Sequence, residues 1–135
     1  MDLGLSGRTA IVTGASRGIG LAVTRGLVAE GVHVTAGARK SSAELGELAA
    51  AGTVRVVEAD LSGPGGPATL VAAAGDRIDI LVNNVGAAPA RPGGFGGISD
   101  EDWQASLTLN LMAAVRTIRA ALLLGRRVPF ALLLA

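Results

Sequence analysis

One segment constrains this chain more than any other: Thr9-Ala10-Ile11-Val12-Thr13, followed at once by Gly14-Ala15-Ser16-Arg17-Gly18-Ile19-Gly20. The first part is β-branched and small, and reads as a buried strand. After the glycines, Ile19, Ala22, Val23, Gly26 and Leu27 share one helical face. Gly31 is placed to end that helix. A strand that turns through glycines directly into a helix exposes unpaired N–H groups at the positive end of the helix dipole. A pyrophosphate binds well there. The glycines make the tight turn and let the ligand approach the backbone closely. The spacing is GxxxGxG rather than GxGxxG, but the strand–turn–helix context is the one such a motif requires. Gly14, Ser16, Arg17, Gly18, Ile19 and Gly20 are therefore the expected phosphate-loop contacts.

The rest of the chain repeats the alternation. Residues 32–36, 54–58 and 78–82 read as further strands, and 42–51 and 68–74 as helices. Residues 63–67 read as a loop, and the Pro- and Gly-rich residues 87–97 as a mobile one. Ser99, with Asp100, Glu101 and Asp102 behind it, starts a long helix with a capping-box pattern and acids that complement its dipole. Leu107, Leu111, Val115, Ile118 and Leu122 form one stripe along it, and residues 128–135 suit a last strand. Strands that are apolar without alternation, separated by helices, point to a parallel sheet covered on both faces. The expected fold is α/β: a Rossmann-type doubly wound sheet in a single domain over residues 1–135, ending after about the fifth strand. Within it, residues 123–135 are atypical.

Composition excludes several classes. The formal net charge is +1, and there are two Phe, one Trp and no Tyr. A nucleic-acid surface is not expected from that balance. With no cysteine and one histidine, His33, neither a disulfide scaffold nor a metal site is expected. His33, between valines, reads as structural. The N-terminus lacks a secretory pattern. The most apolar region, from Leu107 onward, is broken by Arg116, Arg119, Arg126 and Arg127, so no membrane span is expected. A soluble, cytoplasmic protein is the resulting expectation.

The second strand carries information on the cofactor. An NAD site places an acid ~20 residues beyond the glycines to hold the ribose hydroxyls. Ala38-Arg39-Lys40 stands there instead. Arg39 and Lys40, with Arg17 in the loop, suit a 2′-phosphate, which favours NADP over NAD.

These motifs together resemble the short-chain dehydrogenase/reductase family over residues 8 to about 122. Thr13 to Gly20 is similar to that family's TGxxxGxG, and Asp60-Leu61 to its acid after the third strand. Asn83-Asn84-Val85-Gly86 is similar to its NNAG, and Asn110 to its helix asparagine. The resemblance implies hydride transfer between NADPH and a carbonyl or alcohol of a small-molecule substrate. It implies that Asp60 contacts adenine, that Leu61, Asn84 and Gly86 belong to the cofactor site, and that Asn110 belongs to the catalytic set at a helix distortion. The residues themselves leave Asp60 open as a turn former, Asn84 as a purely structural amide and Asn110 as a solvent-facing one. Trp103 reads as packing.

The resemblance also implies a catalytic Tyr, a Lys four residues later and a Ser. This sequence has no Tyr, Lys40 is its only lysine, and no serine follows Ser106. A truncated or frame-shifted coding sequence is the expected origin, and the chain alone is expected to be inactive. Pro129 inside the last strand suits an edge or a non-strand better. The alternative is a non-catalytic nucleotide-binding or subunit-interaction fragment. In that reading the helix over residues 103–122 builds a homo-oligomer, with Ala113, Ala114, Ala120 and Ala121 against the partner and Arg116 and Arg119 on the rim.

Overall fold

The computed structural model describes residues 2–123 and 130–133. Five parallel strands form one sheet in the order β3-β2-β1-β4-β5. They are β1 (Thr9–Thr13), β2 (His33–Ala38), β3 (Val54–Glu58), β4 (Ile80–Asn83) and β5 (Phe130–Leu133). From β1 the chain winds outward through β2 and β3, then crosses back to place β4 on the other side of β1. This reversal opens a crevice outside the carboxyl ends of β1 and β4, where ligands bind in doubly wound sheets.

Both faces of the sheet are covered, which is why its strands do not alternate. Ala10 and Val12 of β1 face α1 (Gly18–Ala29) and α2 (Ala43–Ala50), and pack with Leu21, Val34 and Leu45. Ile11, between them, faces the other way. It packs with Leu81 and with Leu70, Val71, Ala113 and Ala121 from α3 (Gly66–Ala73) and α5 (Ala113–Leu123). Helix starts are chemically specified. The Ser42 hydroxyl accepts from Leu45 N–H at 3.2 Å, capping α2. Ser99 and Asp102 exchange the two hydrogen bonds of a capping box at the head of α4 (Asp100–Leu107).

Two expectations are corrected, the start of α3 and the inward face of the long helix. α3 begins at Gly66 rather than residue 68, with Pro67 in its first turn, where the missing N–H costs nothing. The long helix carries a π-turn at Thr108–Met112, where the resemblance implied a helix distortion at Asn110. Its inward face is Ala113, Ala114, Thr117 and Ala121, while Leu107, Leu111 and Leu122 are exposed. Small residues allow the helix to lie close to α3, and Ala113 and Ala121 belong to the chain's own core. β5 ends the strand order among the described residues, while residues 128, 129, 134 and 135, Pro129 among them, lie outside the described residues. The helical run Asp100–Leu123 is long and apolar enough to cross a membrane by length and composition, with 22% of its most apolar window buried inside the protein. Arg116 and Arg119 interrupt it.

At the opposite end of the sheet from the crevice, Asp79 ties β1 to the segment entering β4. Its Oδ2 accepts from the Thr9 N–H at 2.9 Å, and its Oδ1 from Arg77 Nη2 at 2.7 Å and Arg8 Nη1 at 3.2 Å. Burial pushes this carboxyl up, but Arg77, the Thr9 N–H, Arg8 and the Thr9 hydroxyl outweigh it and hold the pKa at about 2. We predict that Asp79→Asn lowers the unfolding free energy at neutral pH by about 1.5–3 kcal/mol, measured by urea denaturation. The folded pKa lies below the ordinary 3.8, so this contribution is present above 3.8 and is lost as pH falls through about 2. The gap between the two proteins should narrow over that window; a gap that persists undiminished would contradict the assignment.

Candidate functional site

The crevice has a volume of about 750 Å3. Its floor is the junction of β1 and β4, and one pair of side chains fixes that junction. The Thr13 hydroxyl oxygen accepts from the Asn84 N–H at 2.8 Å and the Val85 N–H at 3.0 Å. In return, Asn84 Nδ2 donates to the carbonyls of Thr13 at 3.1 Å and Gly14 at 3.2 Å. The loop is also tied to β2, because Ala15 N–H donates to the Gly37 carbonyl at 3.0 Å.

Two glycines of the loop are required by sterics. Gly14 has φ +64°, and a Cβ there would lie 3.0 Å from Asn84 Nδ2 and 3.2 Å from Val85 Cα. A Cβ on Gly20 would overlap the Gly14 carbonyl. Gly20 is thus buried behind the loop and does not line the crevice, whereas Gly14, Ser16, Arg17, Gly18 and Ile19 do. The head of α1 has no side-chain cap and no acid in its first turn. Its orphan N–H groups and its dipole therefore face the crevice uncompensated.

Cations flank one side. Arg39 and Lys40, just beyond β2, line the crevice together with Arg17. Among the described residues, neither Arg17 nor Lys40 has an ion-pair partner. Asp60 and Leu61, beyond β3, form the next part of the wall. The Asp60 Oδ1 accepts from the Ser62 hydroxyl at 2.7 Å and the Ser62 N–H at 3.0 Å. The Ser62 hydroxyl, then its N–H, with Arg39 further off, hold the Asp60 carboxyl below its ordinary value against a small opposing effect of burial. Asp60 is therefore a turn former that also lines the crevice, with Oδ2 left uncommitted by the turn. Leu61 is buried, and Asn84 and Gly86 complete the wall on the β4 side.

Asn110 stands apart from this lining. It is exposed rather than buried, yet its carboxamide is fully engaged. Oδ1 accepts from the Ala87 N–H at 3.0 Å, while Nδ2 donates to the Ala87 carbonyl at 2.9 Å and the Ser106 carbonyl at 3.0 Å. A regular helix reserves the Ser106 carbonyl for the Asn110 main-chain N–H. The side chain competes for it. Across this stretch the ladder widens, and Ala113 N–H donates to Thr108, five residues back. π-Turns of this kind are frequent at functional sites. A second hollow of about 460 Å3 continues from the crevice past Arg17, Gly86 and Leu109 to Pro89, Arg91 and Ser106.

Trp103 is corrected: it is 46% exposed and meets the exposed Phe95 edge to face, with ring centroids 6.1 Å apart. His33 is exposed at the start of β2. Sequence reasoning missed Leu109, which the π-turn brings to the crevice, and Thr13, whose hydroxyl organises both loops. Among the described residues, no three His, Cys, Asp or Glu side chains cluster so as to hold a metal ion.

Comparison with known proteins gives a consistent family. The model of the family described as short chain dehydrogenase matches residues 8–125. An uncharacterised oxidoreductase of Bacillus subtilis is 36% identical over 124 residues, covering 88% of this chain and 46% of its own length. A 3-oxoacyl-(acyl-carrier-protein) reductase of rhamnolipid biosynthesis from Pseudomonas aeruginosa is 36% identical over 133 residues, covering 91% of this chain and 50% of its own. The L-sorbose reductase of Gluconobacter frateurii, solved with NADPH and L-sorbose, superposes with a TM-score of 0.78 at 36% identity, over 89% of this chain and 48% of its own. This chain thus spans about half the length of these relatives.

The packing of the loop makes a direct prediction. Gly20→Ala should destabilise the fold by about 1–3 kcal/mol, because the loop backbone has to move to admit the methyl group. Gly26→Ala, where a Cβ meets nothing within 4 Å, is the matched control and should leave the thermal midpoint unchanged or raised. Equal midpoints for the two variants would contradict the crowding at Gly20.

Proposed function

The chain belongs to the short-chain dehydrogenase family, and from that premise we propose that its crevice binds NADP. One observation carries the choice of cofactor: the ribose end of the crevice holds Arg17, Arg39 and Lys40, with no carboxylate where an NAD-selective acid would stand. The uncapped head of α1 would hold the pyrophosphate through the N–H groups of Gly18 and Ile19. The cradle fits the group, since the crevice faces of Gly14 and Gly18 carry no side chain. The free Oδ2 of Asp60 would accept from the adenine amine, with Leu61 against the ring. Asn84 holds the loop beneath the ligand. The L-sorbose reductase solved with NADPH supports a nicotinamide cofactor in this position.

When bound, NADPH supplies a hydride, and in the intact family type the acceptor is a carbonyl compound. Moving hydride to a carbonyl also needs a proton donor at the oxygen. In this sequence, without Tyr and with Lys40 on the ribose side, no residue fills that role. Asn110 is the one member of the catalytic set carried here. It holds Ala87 against the helix and keeps the wall between the two hollows in place. The chain is therefore an oxidoreductase portion that binds cofactor and does not turn over alone.

Titration of the purified chain with NADPH, followed by nicotinamide fluorescence, tests this. Binding should be saturable, and Arg39→Ala should weaken NADPH by about tenfold while changing NADH by less than about twofold. No carbonyl reduction should be detectable. Equal effects on the two cofactors would contradict the ribose-end assignment, and turnover would contradict the predicted inactivity.

A further inference from the structure

Arg116 is a half-buried cation on α5 to which the reading above gives no task. Among the described residues it makes no ion pair: those formed are Arg8 and Arg77 with Asp79, and Arg91 with Asp102. Instead its Nη1 donates to the Ser62 carbonyl at 3.1 Å. A partly buried guanidinium that donates to a main-chain carbonyl restrains that stretch of backbone. A charge-assisted bond of this kind is stronger than one between neutral groups.

What Ser62 does explains why holding it matters. Its N–H and hydroxyl both donate to Asp60 Oδ1, and Asp60 and Leu61 form the wall of the crevice beyond β3. The connection runs from α5 through the Ser62 main chain to the Asp60 carboxylate. The same helical run grips the other side of the crevice through Asn110 and Ala87. Both walls are thus referenced to one rigid element, with the π-turn at Thr108–Met112 setting the offset between the two grips.

We infer that Arg116 is a positioning residue for the adenine end of the cofactor crevice. It locks the Asp60-Leu61-Ser62 turn to α5, so that Oδ2 of Asp60 and the Leu61 side chain are fixed before a ligand arrives. Pre-ordering of this kind raises affinity by removing the cost of ordering a loop on binding. The inference rests on the dinucleotide reading above for the identity of the ligand. The locking of the turn does not.

The test uses the 135-residue chain and two variants. Arg116→Met keeps an apolar stem and removes the donor, and Arg116→Lys restores a cationic donor. NADPH and adenosine 2′,5′-bisphosphate are titrated against each protein, and amide hydrogen exchange at Ser62 and Gly63 is followed without ligand. Arg116→Met should weaken both nucleotides by about threefold to tenfold and speed exchange at the two amides, and Arg116→Lys should recover both. Unchanged affinity in Arg116→Met, or a loss that Arg116→Lys does not reverse, would overturn the inference. If the parent chain binds neither nucleotide, the dinucleotide reading fails and the ligand assignment falls with it. Unchanged exchange in Arg116→Met would by contrast overturn the positioning itself, whatever the parent chain binds.

Discussion

The site depends on a reciprocal clamp between Thr13 and Asn84. At the end of β1 and the end of β4, two parallel strands finish side by side with main-chain groups that no further ladder can satisfy. Buried main-chain donors and acceptors need partners. Thr13 supplies an acceptor to the N–H groups of Asn84 and Val85, and Asn84 supplies a donor to the carbonyls of Thr13 and Gly14. The two loops therefore leave the sheet at fixed angles. Gly14 can sit against Asn84 only because it has no Cβ, and Gly20 can close behind it for the same reason. The uncapped head of α1 follows from this geometry, as does the crevice in front of it.

Much of this was legible in the sequence because it rests on local, periodic signals. The apolar runs of β1 to β4, the glycine spacing after β1 and the acids behind Ser99 each specify a conformation within a few residues. The elements that were misread depend on distant partners. Leu107, Leu111 and Leu122 have the spacing of a buried stripe, but the helix turns its small face inward, because Ala113, Thr117 and Ala121 allow closer approach to α3. Trp103 has the chemistry of a core residue, yet it lies half exposed against Phe95. Gly and Pro read locally as loop residues, yet Pro67 stands in the first turn of α3.

The candidate site shows the same division. Each loop glycine, cation and amide quoted from the motifs is found near the crevice, with Gly20 behind it and Asn110 beside it. What the residue types alone did not specify is how these groups are held. Ser62 uses one oxygen of Asp60 and leaves the other. Asn110 spends its carboxamide on Ala87 and Ser106, and the helix ladder widens where it does so. Those are contacts between residues 2 to 23 positions apart, and spacing rules see only the shortest of them. Kinship with reductases about twice this length supplies the chemical context, while this sequence contains no Tyr and a single Lys.

The central claim is that a dinucleotide phosphate sits at the head of α1, in the crevice between the ends of β1 and β4. The most direct measurement is an amide chemical-shift map of the isotopically labelled chain during addition of NADPH. The account predicts the largest changes at Gly14, Gly18, Ile19 and Gly20, with smaller ones at Arg39, Leu61 and Gly86. Saturable changes confined to the exposed Trp103–Leu111 face, with the α1 amides unmoved, would contradict it.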